Sequence, residues 1–364
     1  MSMRILIAGG GTGGHIFPAL AIAGALKEQD ASIDILFVGA KGKMEMEKVP
    51  QAGYSIVGLD IVGFDRSSLT KNIALPWKLI KSFWQVRKIV QAFRPDAVLG
   101  VGGYSSFPVL RFAQAKGIPS FLHESNAYAG KTNQLLAKRA QLVFTGAVGL
   151  EKFFPAQKIS FTGNPVREAI CAVLPSREKA AAFFSLLPSR PTLLVMGGSL
   201  GARSINEAID RGLDQLQEAG IQLIWQTGKQ YAATAARRVS DRQGCFTADF
   251  IKEMEMAYAA ADVVIARAGA MTVAELAVVA KPVLFVPFPL AAEDHQRVNA
   301  EQLVDRQAAL LISDRDAAVA LVPAAVALCL DKAKQQTLSN AIASFAVRDA
   351  ARQVATKILK AVRN

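Results

Sequence analysis

Twice in this chain a short apolar run passes into a glycine-rich loop and then into a segment with helical spacing. The first is Arg4–Ala8 followed by Gly9-Gly10-Gly11-Thr12-Gly13-Gly14-His15, and the second is Thr192–Met196 followed by Gly197-Gly198-Ser199-Leu200-Gly201. Such a loop presents backbone N–H groups at a helix N-terminus, where the macrodipole adds partial positive charge, so the chemistry it suits is the holding of phosphate. Two of them, about half a chain apart, suggest two nucleotide-type folds with one anion cradle each, as an enzyme joining two phosphate-bearing substrates requires. A third strand–turn–helix runs Val263-Val264-Ile265-Ala266-Arg267-Ala268-Gly269-Ala270-Met271-Thr272-Val273-Ala274-Glu275. It aims another helix start at an anion and puts Glu275 about one turn inside, where a carboxylate suits two ribose hydroxyls.

Two of these loops also spell other chemistries. Gly9, Gly11 and Gly14 satisfy the dinucleotide fingerprint, yet that site wants an acid at the end of the second strand, and here the strand ends Phe37-Val38-Gly39-Ala40-Lys41. Gly197–Gly201 reads GxSxG, the nucleophile elbow of hydrolases, with Asp262 and His295 following in the required order. Asp262 opens an apparent strand, however, and a hydrolase has no use for the N-terminal phosphate loop. The favoured role for Ser199 is to offer its hydroxyl and N–H to a nucleotide oxygen.

Strands must hold these loops. Short apolar candidates are Arg4–Ala8, Asp34–Val38, Ala97–Val101, Pro119–Leu122 and Leu142–Thr145, then Thr192–Met196, Gln222–Trp225, Asp262–Ala266 and Pro282–Val286 after a break at Gly163-Asn164-Pro165. Helical stretches separate them, the pattern of parallel sheets covered on both faces. The expected fold is α/β: two Rossmann-like, doubly wound parallel-sheet domains separated by a cleft. A chain of 364 residues, 51% apolar and 20% charged, is long enough for two cores. The expected division is 1–163 together with a C-terminal amphipathic helix over 345–364, and 164–344. Three scattered cysteines, Cys171, Cys245 and Cys329, argue for a reducing compartment and against a disulfide framework or zinc site. No leader or spanning segment is expected, because the start runs directly into a strand and the longest apolar run, Ala317–Leu330, is short and holds Pro323.

The net charge of +12 divides into +9 over 1–166, −1 over 167–345 and +4 over 346–364, so the first half and the tail should face an anionic surface. Between Arg66 and Arg94 stand Lys71, Lys78, Lys81, Arg87 and Lys88 with no acid, interleaved with Ile73, Leu75, Trp77, Leu79, Ile80, Phe83 and Trp84. Aromatic and aliphatic residues beside Lys and Arg suit the headgroup boundary of an anionic bilayer better than nucleic acid. The residues expected at that surface are Leu75, Trp77, Lys78, Leu79, Lys81, Phe83, Trp84 and Arg87.

Together, GGGTGGH at 9–15, GVGGYSSFP at 100–108, HESNAYAGKTN at 123–133, GNPVR at 163–167, GGSLGARSIN at 197–206, the 263–275 segment and DHQRVNA at 294–300 resemble the UDP-sugar glycosyltransferases of the GT-B architecture, family 28. The likeness spans nearly the whole chain. It is nearest to members that add N-acetylglucosamine to the undecaprenyl-pyrophosphoryl-muramoyl-pentapeptide of bacterial cell-wall synthesis. The alternative within the same architecture is a different lipid or small-molecule acceptor.

The resemblance implies that the second domain binds UDP-N-acetylglucosamine, with the backbone at Ile251 on uracil and Glu275 on ribose. Ser199 and the turn Ala270-Met271-Thr272, continuing through Val273 and Ala274, would take the diphosphate, and Gln296 the sugar. Arg167 and Asn126, with Thr12, Gly13 and Gly14, would close on the donor. Gly11, Thr12, Gly13, Gly14, His15, Tyr104, His123 and Asn126 would meet the acceptor, and His15 and Glu124 are the candidate catalytic residues. The chain departs from the family's usual pattern at Ser125, where Gln is common, and at Arg297, where a small residue is common.

An α-linked donor and a β-linked product imply one in-line displacement, with a base for the acceptor hydroxyl and stabilisation of departing UDP. His15 and Glu124 both remain open as that base. Helix starts at Ser199 and Gly269, with Arg167, would supply the stabilisation; no DxD acidic pair is read, and neither a metal nor any other cofactor is expected. The expected place is the cytoplasmic face of the cell membrane, held peripherally.

Overall fold

Ile5 and Ile7 point into one core of the first unit, and Leu6 and Ala8 into another; all four are fully buried. A strand covered on both faces must be apolar at every position, which is why this stretch reads as an unbroken run. The structure is a computed structural model that describes residues 2–63, 75–198 and 201–363, with Ala292 described in its backbone alone. Its chain divides into one unit formed by residues up to Arg167 together with those from Val347 on, and a second formed by Glu168–Ala346.

The first unit carries seven strands: β1 (Arg4–Ala8), β2 (Asp34–Ala40), β3 (Ser55–Leu59), β4 (Ala97–Gly100), β5 (Ser120–Glu124), β6 (Leu142–Thr145) and β7 (Ile159–Phe161). They form one sheet in the order β3-β2-β1-β4-β5-β6-β7, with every pairing parallel. The second unit carries β8 (Thr192–Met196), β9 (Gln222–Gln226), β10 (Cys245–Ala248), β11 (Val263–Ala266), β12 (Val283–Phe285) and β13 (Leu310–Leu311), ordered β10-β9-β8-β11-β12-β13 and again parallel. In both sheets the order reverses beside the first strand, between β1 and β4 and between β8 and β11. Such switch points open a crevice at the carboxyl ends of the strands. Each glycine-rich loop leaves its sheet there.

Four strands, β3, β7, β10 and β13, lie outside the sequence reading. All four are the outer strands of their sheets. With one side uncovered they lack the continuous apolar signature, and β13 is only two residues long. The terminal helix runs Ala350–Arg363, beginning later than the expected 345, because residues up to Asp349 form turns. It returns to the first unit: Val354 and Ile358 enter the β1 core, and Arg363 pairs with Asp30 at 3.0 Å.

The helix Leu75–Phe93 packs Ser82, Val86 and Val90 inward. Trp77, Ile80 and Trp84 lie on the opposite side and are 73%, 52% and 62% exposed. Arg87 stacks over Trp84, and Lys81 bridges Asp60 at 3.0 Å. Leu79 and Phe83, expected at the same surface, instead pack toward the core, with the Phe83 and Phe107 rings 6.4 Å apart. The helical repeat turns them to the inner face. Arg66, Lys71 and Ile73 lie outside the described residues. Among the described residues no helix is long and apolar enough to cross a membrane.

Candidate active site

In the first unit the loop after β1 starts the helix Gly13–Gln29, whose first residues lack a side-chain cap. Nδ1 of His15 faces the carbonyl of Gly10 at 3.0 Å and the Thr12 hydroxyl at 3.3 Å. A carbonyl only accepts, so in this contact Nδ1 carries the proton, and Nε2 is the nitrogen through which a neutral ring would act as a base. The loop after β4 lies against this turn. A Cβ at Gly102 would come within 2.8 Å of the His15 ring, and one at Gly103 would overlap the Gly10 oxygen, so both positions require glycine for the loops to nest. Tyr104, on the same loop, sits beside Gly11 with its hydroxyl buried and, among the described residues, without a hydrogen-bond partner. Burial raises its pKa, and the charge of Glu45 adds to the rise.

Glu45 is absent from the sequence reading. Its carboxylate is 1% exposed and accepts from the N–H of Gly11 and the N–H of Ala40, both at 3.0 Å. One N–H of the expected cradle is therefore already taken, which leaves the Thr12–Gly14 turn as the part open to an anion. A carboxylate does stand at the end of β2, but it is buried against backbone, where no ribose reaches it.

Glu124 ends β5 with both oxygens engaged. Oε1 accepts from the N–H of Asn126 at 3.1 Å and its side-chain amide at 3.3 Å, while Oε2 accepts from Gly130 N–H at 3.0 Å and Asn133 Nδ2 at 2.9 Å. Four donors on one carboxylate tie it to the 124–133 loop. His123, fully buried, has Nδ1 3.4 Å from the Ser125 hydroxyl. Desolvation drives its pKa from 6.5 to about 4, with the Gly163 backbone opposing and His15 adding to the fall. The Arg167 guanidinium lies over the Phe17 ring at 5.6 Å.

In the second unit Gly269 opens the helix Ala270–Val279, and the first bond back runs from Val273 N–H to the Gly269 carbonyl at 3.0 Å. The N–H groups of the first turn point along the axis out of the helix, and residues 270–274 are only half-buried. Glu275 follows on this helix, held by the Tyr258 hydroxyl. Arg267 ties the region together: Nη1 donates to the Val286 and Pro287 carbonyls at 3.0 and 3.1 Å, and the side chain pairs with Asp314 and Ser204. Gln296 accepts from Phe288 N–H at 3.0 Å. Ile251 gives its N–H to Gln226 at 2.9 Å, so a base contact from its backbone has to use the carbonyl. Ser199 and Leu200 lie outside the described residues.

The hydrolase reading fails on geometry. Asp262 accepts from Thr192 N–H at 2.9 Å at the amino end of β8 and pairs with Arg177 and Lys332, whereas Gly197 lies past the carboxyl end, five residues along. A DxD pair does occur, at Asp314-Arg315-Asp316, contrary to the sequence reading. Its carboxylates are bonded to Ser204 and Arg267 and to Ser313.

Thus His15, Tyr104, His123, Glu124 and Asn126 gather at the carboxyl edge of the first sheet, and Ile251, Ala270–Glu275 and Gln296 at that of the second. The glycosyltransferase family 28 N-terminal domain matches residues 5–145 and its C-terminal domain matches 192–354. The UDP-N-acetylglucosamine--N-acetylmuramyl-(pentapeptide) pyrophosphoryl-undecaprenol N-acetylglucosamine transferase of Bacteroides fragilis is 47% identical over 363 residues, 99% of this chain and 96% of that protein. The enzyme of the same name from Parabacteroides distasonis is 48% identical over 361 residues, 99% of this chain and 98% of the other. Among solved structures, the crystal structure of Acinetobacter baumannii MurG aligns with a TM-score of 0.79 at 29% identity, over 98% of this chain and 99% of that one.

Proposed function

The chain belongs to glycosyltransferase family 28, and from that premise we propose that it transfers N-acetylglucosamine from UDP-N-acetylglucosamine to undecaprenyl-pyrophosphoryl-N-acetylmuramoyl-pentapeptide, the step from lipid I to lipid II in peptidoglycan synthesis. The observation that carries this reading is that each unit has its own family match, and each match includes a glycine-rich turn at the switch point of its sheet.

In this reading the second unit takes the donor. Glu275 meets the ribose, the first turn of the helix from Gly269 meets the diphosphate, Gln296 meets the sugar, and Ser199 adds to the diphosphate contacts. The first unit takes the acceptor through Gly11–Gly14, Tyr104 and His123. His15 Nε2 accepts the proton of the acceptor hydroxyl as the new oxygen–carbon bond forms at the anomeric centre. The bond to UDP breaks in the same step, and UDP leaves with the electron pair. The helix N-terminus disperses the charge that develops on its phosphate. Preference for His15 over Glu124 rests on the contact of its Nδ1 with the Gly10 carbonyl, which directs proton transfer to Nε2, against a carboxylate with four donors.

Attachment to the membrane is peripheral, at its anionic cytoplasmic face. Trp77, Ile80 and Trp84 are exposed together, with Lys81, Arg87 and Lys88 around them. Each basic residue near an anionic surface contributes about 1 kcal/mol, enough in combination for reversible binding. The experiment for the whole reading is turnover of UDP-N-acetylglucosamine on the lipid-linked acceptor by wild-type and His15→Ala protein.

A further inference from the structure

One peptide group joins Glu45 to His15. The amide between Gly10 and Gly11 donates its N–H to Glu45 Oε2 at 3.0 Å, and its carbonyl accepts from His15 Nδ1 at 3.0 Å. A trans peptide directs these two groups to opposite sides, so the carboxylate and the imidazole bracket the same plane. We propose that Glu45 is a positioning residue for His15: through the Gly10–Gly11 peptide it fixes the imidazole with Nδ1 protonated and Nε2 unprotonated, and strengthens that nitrogen as a base. The assignment rests on the reading of His15 as the base for its catalytic consequence, but not for its structural one.

The surroundings are built for this link. A Cβ at Gly10 would overlap the Glu45 carboxylate, and one at Gly39 would fall 2.5 Å from Glu45 Cγ, so two glycines form the slot that admits the side chain. Its second oxygen is held by Ala40 N–H at the end of β2, which anchors the loop to the sheet. A hydrogen-bonded chain in a buried setting polarises along its length. An anion pulling on the amide N–H makes the carbonyl a better acceptor, which holds Nδ1–H more firmly and favours positive charge on the ring. This is the function that a directly bonded carboxylate performs for a catalytic histidine, relayed here by an intervening amide. Titratable groups facing this turn among the described residues include Glu45 beneath the loop, Tyr104 beside Gly11 and His123 on β5.

The test is ¹⁵N NMR of histidine-labelled protein, in which only three histidines contribute and His15 is assigned by its own substitution. Wild-type protein should show His15 with Nδ1 protonated and Nε2 bare at pH 8. Glu45→Gln should move it toward a tautomer mixture and lower the pH at which it titrates. kcat/KM for the acceptor should fall at least about tenfold, part of the 10²–10⁴ a placed base contributes, with the acid limb displaced the same way. Circular dichroism and an unchanged thermal unfolding transition report that the variant is folded; if Glu45→Gln fails to fold, Glu45→Asp is read in its place. A wild-type ring protonated on Nε2, or a variant with unchanged tautomer and titration, overturns the proposal. A changed tautomer in Glu45→Gln alongside full activity in His15→Ala would leave the link standing and remove His15 as the base.

Discussion

Tyr258 donates its hydroxyl to Oε2 of Glu275 at 2.9 Å, and the carboxylate so held is 8% exposed on the helix that Gly269 opens. A carboxylate held by a neighbouring hydroxyl keeps a set direction, which suits a pair of neighbouring hydroxyls. Glu275→Ala is expected to weaken UDP-N-acetylglucosamine binding by about 2 kcal/mol, or roughly 30-fold in Kd, the scale of hydrogen bonds to a charged group. Tyr258→Phe, which leaves the carboxylate in place but loosely held, should lose about 1 kcal/mol. Calorimetry checks both, and unchanged affinity in Glu275→Ala would remove it from the ribose.

The helix Leu75–Phe93 makes a prediction about two faces. Trp77→Ala/Trp84→Ala should abolish sedimentation with anionic liposomes while leaving thermal stability and UDP binding unchanged, because both indoles are exposed. Phe83→Ala should do the reverse and lower the melting temperature, by the 3–5 kcal/mol cost of deleting a packed aromatic at most. Raising the salt concentration should release the wild-type protein from vesicles, since the basic residues act through screened charge. A double tryptophan variant that pellets as wild type does would move the membrane face elsewhere.

His123 makes stability depend on pH. In the folded chain its ring stays neutral down to about pH 4, whereas in the unfolded chain it protonates near 6.5. Between those values the unfolded chain binds more protons, so stability is full above pH 6.5 and is lost as pH falls toward 4, by about 3 kcal/mol in all. Denaturant unfolding from pH 7 to 4.5 should show this slope in wild type and a flatter one in His123→Asn. Equal slopes would mean that other groups govern acid unfolding.

The central strands and their loops were legible because burial on both faces leaves a continuous apolar run ending in glycine, as in Thr192–Met196 before Gly197. Ser55–Leu59 and Cys245–Ala248 were not, since outer strands leave positions half-buried or exposed and their pairing is decided by neighbours far along the chain. The family motifs gave the site's membership but not its internal bonds. Nothing in Lys43-Met44-Glu45 signals a carboxylate that will bind the amide of Gly11, 34 residues earlier, because its partner is backbone and carries no side-chain signature. For the same reason the four donors that hold Glu124 within nine residues were not legible in its motif. Charge and aromatic content pointed to a membrane helix, yet the division of Trp77 and Trp84 from Leu79 and Phe83 depends on which side meets the core.

The most direct measurement is transfer of labelled N-acetylglucosamine from its UDP donor to an undecaprenyl-pyrophosphoryl-muramoyl-pentapeptide acceptor, with and without a chelator. Wild-type protein should form a β-linked disaccharide lipid at the same rate in both conditions. His15→Ala should turn over about 10²- to 10⁴-fold more slowly with unchanged affinity for the donor. Absence of disaccharide lipid from folded, donor-binding wild-type protein would contradict the assigned reaction, and full turnover by His15→Ala would contradict the assigned base.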